Sequence, residues 1–169
     1  MQKIVPSLWF DNNCEEAVNY YISVFNGSPS KTADSKIISL QRYEEGMQTP
    51  GIEQMLGKVL TVIFELNGQR FMALDGGPYF KFNEAISLHV ECEDQAEVDY
   101  FWEKLSQVPE SEECGWVKDK FGLSWQIVPK RLSELLQDPD KEKAHRVMNA
   151  MLQMKKIIVE DLEKAANQE

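Results

Sequence analysis

Apolar positions along this chain switch between a spacing of two, which marks strands, and a spacing of three to four, which marks helices. Lys3 to Phe10 reads as a first strand. Asp11-Asn12-Asn13 offers helix caps, and Glu15 and Glu16 suit the positive end of a helix. Ala17, Val18, Tyr21, Ile22 and Phe25 then follow at helical spacing, and Asn26-Gly27 ends the run. Lys36 to Tyr43 predicts a strand, and Glu44 to Gly57, broken by glycines and Pro50, a long loop. Val59 to Leu66 is a β-branched run, Asn67-Gly68 is a strong hairpin signal, and Phe71 to Asp75 is the returning strand. Gly76-Gly77-Pro78 through Asn83 breaks the pattern and links two halves. Ala85 to Cys92 is a further strand and Gln95 to Ser106 a helix. Val108 to Glu113 is a polar turn, Cys114 to Lys118 a short strand, and Phe121-Gly122 a turn. Ser124 to Val128 is a last strand, stopped by Pro129.

The halves repeat each other at an offset of eighty positions. Ser7-Leu8 meets Ser87-Leu88, Phe10 meets Val90, Val18-Asn19-Tyr20-Tyr21 meets Val98-Asp99-Tyr100-Phe101, and Phe25 meets Leu105. Such a repeat predicts a pseudo-symmetric domain of paired βα modules with a cavity between them. The second copy is shorter by about one strand. After Leu132 the character changes: Ser133-Glu134-Leu135-Leu136 is a turn of helix, and Asp138-Pro139 starts another. Ala144, Val147, Met148, Met151 and Leu152 then form an amphipathic stripe. The stripe reads as core, or otherwise as a dimer contact. Ile158-Val159 leads into a last short helix. The expected organisation is a domain over 1–130, built of modules 1–78 and 79–130, with a helical extension over 131–169.

With 169 residues, 43% hydrophobic and 10% aromatic, the chain has ample material for a core. A formal charge of −10 argues against nucleic acid or an anionic membrane as partner, because phosphate would be repelled. Three widely spaced cysteines, Cys14, Cys92 and Cys114, form no metal-finger pattern and read as reduced thiols. Met1 to Pro6 runs straight into a strand without the apolar core of a signal peptide, and no run is long enough to span a membrane. A soluble cytoplasmic protein is the expectation.

Searches for chemistry are mostly negative. There is no phosphate loop, no nucleophile elbow and no H-E-x-x-H pair, and Gly76-Gly77 lacks the helix a dinucleotide site needs. His89 and His145 are the two histidines, which excludes a multi-histidine metal site. His89 precedes Cys92 by three residues, and those positions face opposite sides of a strand. Alternation puts Pro6, Leu8 and Phe10 in one row and Val5, Ser7 and Trp9 in the other. Leu88, Val90 and Cys92 oppose Ser87, His89 and Glu91, and Trp125 and Ile127 oppose Ser124, Gln126 and Val128. The rows turned from the helices are polar, which suits a ligand surface or equally a solvated or interface face. His89 is the titratable base in that row, as catalyst or as hydrogen-bonded spectator.

Several segments together resemble the PhnB-like, demethylubiquinone methyltransferase-like branch of the glyoxalase/bleomycin-resistance (vicinal oxygen chelate) superfamily. They are Pro6-Ser7-Leu8-Trp9-Phe10, Tyr20 to Phe25, Gly76-Gly77-Pro78, Phe82 to Ser87, and Cys114-Gly115-Trp116. Asp119 to Pro129 and Ala150 to Lys156 complete the set. The resemblance implies an α+β fold in which paired βαβββ modules form a curved mixed sheet around a cavity, here with a helical tail, in a homodimer. Metal enzymes of the superfamily hold a divalent ion on inward positions of the first, fourth, fifth and last strands. Carried over, these fall near Val5, Ser87 and Gln126, where neutral groups replace the usual His and Glu. Asp75 or His89 could compensate, but the pattern is that of a lapsed metal site.

The expected function is therefore metal-independent binding of a small molecule, with no cofactor and no assigned catalytic residue. Trp9, Ser87, His89, Trp116 and Gln126 are the candidate ligand-binding residues. Two alternatives are a metal-dependent lyase, isomerase or dioxygenase of the superfamily, and, more weakly, a methyltransferase. The last would need a Gly-rich strand-to-helix turn followed by an acidic residue after the next strand, and the sequence has neither.

Overall fold

The computed structural model describes residues 2–168; Met1, in the N-terminal stretch read above, and Glu169, at the end of the tail, lie outside them. Two compact units emerge, one of Met1–Gly27 with Lys31–Lys81, the other of Ser28–Ser30 with Phe82–Glu169.

In the first unit, strand β1 (Ser7–Phe10) is followed by helix α1 (Cys14–Asn26), β2 (Lys36–Arg42), the short helix α2 (Ile52–Met55), β3 (Val59–Leu66) and β4 (Gln69–Asp75). The sheet order is β1-β4-β3-β2. β1 runs parallel to β4, with Ser7 opposite Met72 and Phe10 opposite Asp75, and the other pairs are antiparallel. Period-two alternation turns Leu8, Phe10, Val62, Phe64, Phe71 and Ala73 into the core with Val18, Tyr21 and Val24 of α1. Burying each Val, Leu or Phe side chain among these stabilises the fold by about 1.5–3 kcal/mol.

The start of α1 differs from the sequence expectation. Asn13 makes no side-chain cap, and the Asn12 side-chain oxygen instead accepts from the Lys58 ammonium. The Asp75 carboxylate takes the capping role, accepting from the Cys14 amide at 2.9 Å. Parallel pairing of β1 with β4 carries this acid beneath the helix N-terminus, where the dipole favours negative charge.

The second unit repeats the plan with one strand fewer, as the pattern predicted: β5 (Ser87–Cys92), α3 (Gln95–Leu105), β6 (Trp116–Lys118) and β7 (Ser124–Pro129), in the order β5-β7-β6. Again the first strand pairs parallel with the last. The missing strand corresponds to β2. Tyr21 and Phe101, equivalent in the repeat, are both buried, each beside an aromatic neighbour, Tyr20 at 5.9 Å and Tyr100 at 5.4 Å. Here the cap is local, with Asp94 accepting from the Glu97 amide at 3.0 Å.

Helix α4 (Lys130–Leu136) begins directly after Pro129, earlier than the sequence pattern suggested. Its Leu132 and Leu135 join Val128, Val147, Ile157, Leu162 and Ala166 in a core cluster. α5 (Lys141–Met151) contributes Val147 to that cluster and α6 (Val159–Asn167) contributes Leu162 and Ala166. Gly115 and Cys114 donate backbone bonds to Lys155 and Met154 at 2.8 and 2.9 Å, stitching the tail to the β6 hairpin. The apolar stripe of α5 splits: Ala144 and Val147 are buried and Met151 packs on the cluster, while Met148 and Leu152 stay exposed.

Candidate functional site

Trp9 sits on β1, in the row opposite the buried Leu8 and Phe10. Its indole N–H donates to the Gly77 carbonyl at 2.9 Å, and the ring meets the edge of Phe80 with centroids 4.9 Å apart. The six-membered ring lies so close over Gly76 that a Cβ there would stand 2.2 Å from Trp9 Cζ2. The Gly76-Gly77-Pro78 break is thus the bed on which the indole lies.

Beside Trp9 the first unit holds a cavity of about 540 Å3, walled by Trp9, Tyr43, Met55, Leu60, Leu74 and Tyr79, with Thr49, Gln54 and Thr61 as polar points. This is within the usual range for small-molecule sites. None of its lining residues is charged. Leu74 faces it because alternation along β4 sends Ala73 and Asp75 to the α1 side. The Tyr43 hydroxyl donates to the Asp75 backbone carbonyl at 2.9 Å. Residues 44–56 form one wall, pinned at the neck by the Tyr43 amide to Lys58 carbonyl and Gly57 amide to Tyr43 carbonyl bonds, both 3.0 Å. Sequence reasoning had found only Trp9 of this group. The Met72/Leu74 row of β4 was the available signal, whereas Tyr43, Met55 and Tyr79 come from segments without periodicity.

The other four candidates lie on the sheet of the second unit. Register sets His89 of β5 and Trp116 of β6 on either side of Gln126 of β7. Ser87 Oγ accepts from Gln126 Nε2 at 2.8 Å. His89 is exposed, while Ser87, Trp116 and Gln126 are half-buried. On the opposite face Trp125 is buried, its indole N–H donating to the Asp119 carboxylate at 2.8 Å. The same carboxylate accepts from the Phe121 and Leu123 amides, which fixes the turn before β7 and hence the Gln126 register. Trp116 also lines a smaller cavity of about 340 Å3 with Glu84, Glu113 and Cys114. The Lys118 ammonium pairs with Glu84 and holds its carboxyl below the usual value.

These positions do not fit the divalent ion that the superfamily resemblance implies. Val5 is aliphatic and precedes β1. Ser87 and Gln126 offer only neutral oxygens, and Ser87 Oγ already accepts from the Gln126 amide. Asp75 cannot compensate from its place beneath α1, where burial raises its pKa despite its amide donors. Among the described residues no group of three His, Cys, Asp or Glu is arranged to hold a metal. Cys14 and Cys92 are buried thiols pushed up to about 12, chiefly by desolvation, and are inert as ligands or nucleophiles near neutrality. No helix is long and apolar enough to cross a membrane among the described residues.

The paired modules, with β1 and β5 each parallel to the last strand of its own sheet, define a glyoxalase-like protein of the PhnB-like branch. Residues 2–128 match the family model described as 3-demethylubiquinone-9 3-methyltransferase, and the chain belongs to that family. It is similar to the PhnB protein from Bacillus cereus, at 37% identity over 76% of this chain and 99% of that one, with a TM-score of 0.59. A protein from Pseudomonas aeruginosa shares the fold at 19% identity, with a TM-score of 0.53 over 76% of this chain and 98% of that one. No curated protein matches. The whole of the α4–α6 tail lies beyond the family match.

Proposed function

We propose that the protein is a metal-independent small-molecule-binding member of its family, working in the cytoplasm as a homodimer. The Ser87–Gln126 hydrogen bond carries this reading: two positions expected to ligate metal carry neutral groups bonded to one another. An uncharged cavity of small-molecule size in the first unit supports the ligand-binding half. Trp9 is the proposed stacking contact there, and Ser87, His89, Trp116 and Gln126 are the proposed polar and aromatic contacts of the second unit. Exposed Met148 and Leu152 are the apolar pair available to a second copy.

Native mass spectrometry of freshly purified protein, with metal analysis on the same sample, tests the reading. It predicts a dimer with metal far below one per chain. Stoichiometric Zn, Ni, Mn or Fe overturns metal independence and favours the superfamily's metal-dependent chemistry. A His89→Ala variant with unchanged affinity for any retained ligand refutes the role given to His89. The methyltransferase reading rests on the family description alone, and calorimetry with S-adenosylmethionine should give no heat of binding.

A further inference from the structure

We infer that the cavity of the first unit takes a neutral, flat aromatic molecule bearing a single polar substituent, stacked on Trp9 and reached by Gln54. This rests on the small-molecule reading and specifies the ligand class for one site within it.

Charge decides the class. None of the lining residues carries one, and the nearby Arg42 is engaged, its guanidinium donating to both oxygens of Glu15 at 2.9 and 2.6 Å. A carboxylate or phosphate entering this cavity would lose water without gaining a counter-ion, at a cost no stacking contact offsets. The overall charge of −10 opposes anions further.

Shape comes from the aromatic walls. Trp9 is held by its bond to Gly77, by Phe80 and by contact with Gly76, so its ring is preorganised and loses little freedom on binding. Tyr43 and Tyr79 add flat surface, and Met55 supplies an adaptable thioether opposite. Tyr79 and Phe80 are 79% and 65% exposed, large apolar groups placed in water beside a cavity, as expected at a binding mouth.

Polar capacity is small. The Trp9 N–H and Tyr43 O–H are already bonded to backbone carbonyls. The Thr61 hydroxyl donates to Gln41 at 3.2 Å. Gln54, exposed on α2, is the side-chain amide facing the cavity, and the Thr49 hydroxyl is a further polar side-chain group of the lining. Two neutral groups of this kind suit one polar substituent rather than several.

The test compares β-naphthol, neutral near neutral pH, with β-naphthoate, its anionic counterpart of similar size, by titration calorimetry on the full chain. Saturable β-naphthol binding at one per chain, at least tenfold tighter than β-naphthoate, is expected. Trp9→Ala should weaken β-naphthol binding tenfold or more, and Met55→Ala, at the end of the short helix α2, severalfold, with thermal melting confirming that both fold. Gln54→Leu should weaken it about threefold to tenfold, the worth of one hydrogen bond. Equal or tighter binding of β-naphthoate that still depends on Trp9 overturns the neutral-ligand class while leaving the small-molecule reading intact. Absence of β-naphthol binding, or binding indifferent to both Trp9→Ala and Met55→Ala, overturns the assignment of this cavity. The retained-ligand spectrum described above tests the broader reading independently.

Discussion

Replacing Gly76 with alanine would place a Cβ 2.2 Å from Trp9 Cζ2 and 2.4 Å from Cε2 and Cη2, well inside any tolerable contact. The backbone at Gly76 is outside the left-handed region, so the conflict is with the indole rather than with the main chain. The Gly76 amide is held to the Phe10 carbonyl at 2.9 Å, which leaves Trp9 as the group that must move. Moving it breaks the indole bond to Gly77 and the edge contact with Phe80. Each is worth about 0.5–1.5 kcal/mol, so Gly76→Ala should destabilise the protein by about 1–3 kcal/mol. In a Trp9→Ala background the clash is gone. There the same substitution should be neutral or stabilising by up to about 1 kcal/mol, because alanine reduces the freedom of the unfolded chain. Urea unfolding followed by far-ultraviolet circular dichroism, in the wild type, both single variants and the double variant, measures this sign reversal. An equal cost of Gly76→Ala in both backgrounds would refute the argument that Trp9 rests on this glycine.

Asp119→Ala should cost about 3 kcal/mol or more in the same assay, since it strands the Phe121 and Leu123 amides and the Trp125 indole, while Asp119→Asn costs less; a cost under about 1 kcal/mol for the alanine variant contradicts the network. Burial raises the Asp75 pKa above the ordinary carboxylate value. The native state therefore holds this proton more tightly than the unfolded chain, and the stability it contributes, full below about pH 4, is lost as pH rises through the folded value. Relative to Asp75→Asn, the wild type should lose stability as pH rises above about 4, and the opposite slope would sink the argument. At mildly alkaline pH a thiol reagent should label Cys114 alone in the folded protein, and all three cysteines in urea, because Cys14 and Cys92 are buried and pushed up to about 12. Native labelling of either at the rate of Cys114 would show that their burial is not maintained.

Much of the fold was legible because periodicity is a local property. Val59 to Leu66 needs no distant contact to read as a strand, and its boundaries coincide with β3. The eighty-residue offset of Val18 and Tyr21 against Val98 and Phe101 announced the modules, since both copies bury the same helix face. Local signals failed where a partner arrives from far along the chain. Asn13 looked like a cap, yet Asp75 does the capping because β1 pairs parallel to β4. Pro129 ends the last strand as expected, yet α4 starts immediately after it, ahead of the Ser133–Leu136 turn that the pattern suggested, because Leu132 and Leu135 find the tail's core.

The sequence by itself determined the two modules, the shortened second copy, the apolar and polar rows of each strand, and the neutral residues at the expected metal positions. The first three follow from residue type and spacing alone, while the expected metal positions come from the family resemblance. Only the tertiary structure decided that Trp9 lies on Gly76, that Ser87 and Gln126 bond to each other, and that Tyr43, Met55, Leu74 and Tyr79 enclose an uncharged cavity. Those residues come from strands and loops whose proximity is set by sheet order and register. Packing of that kind depends on which surfaces meet, and no spacing along one chain encodes it.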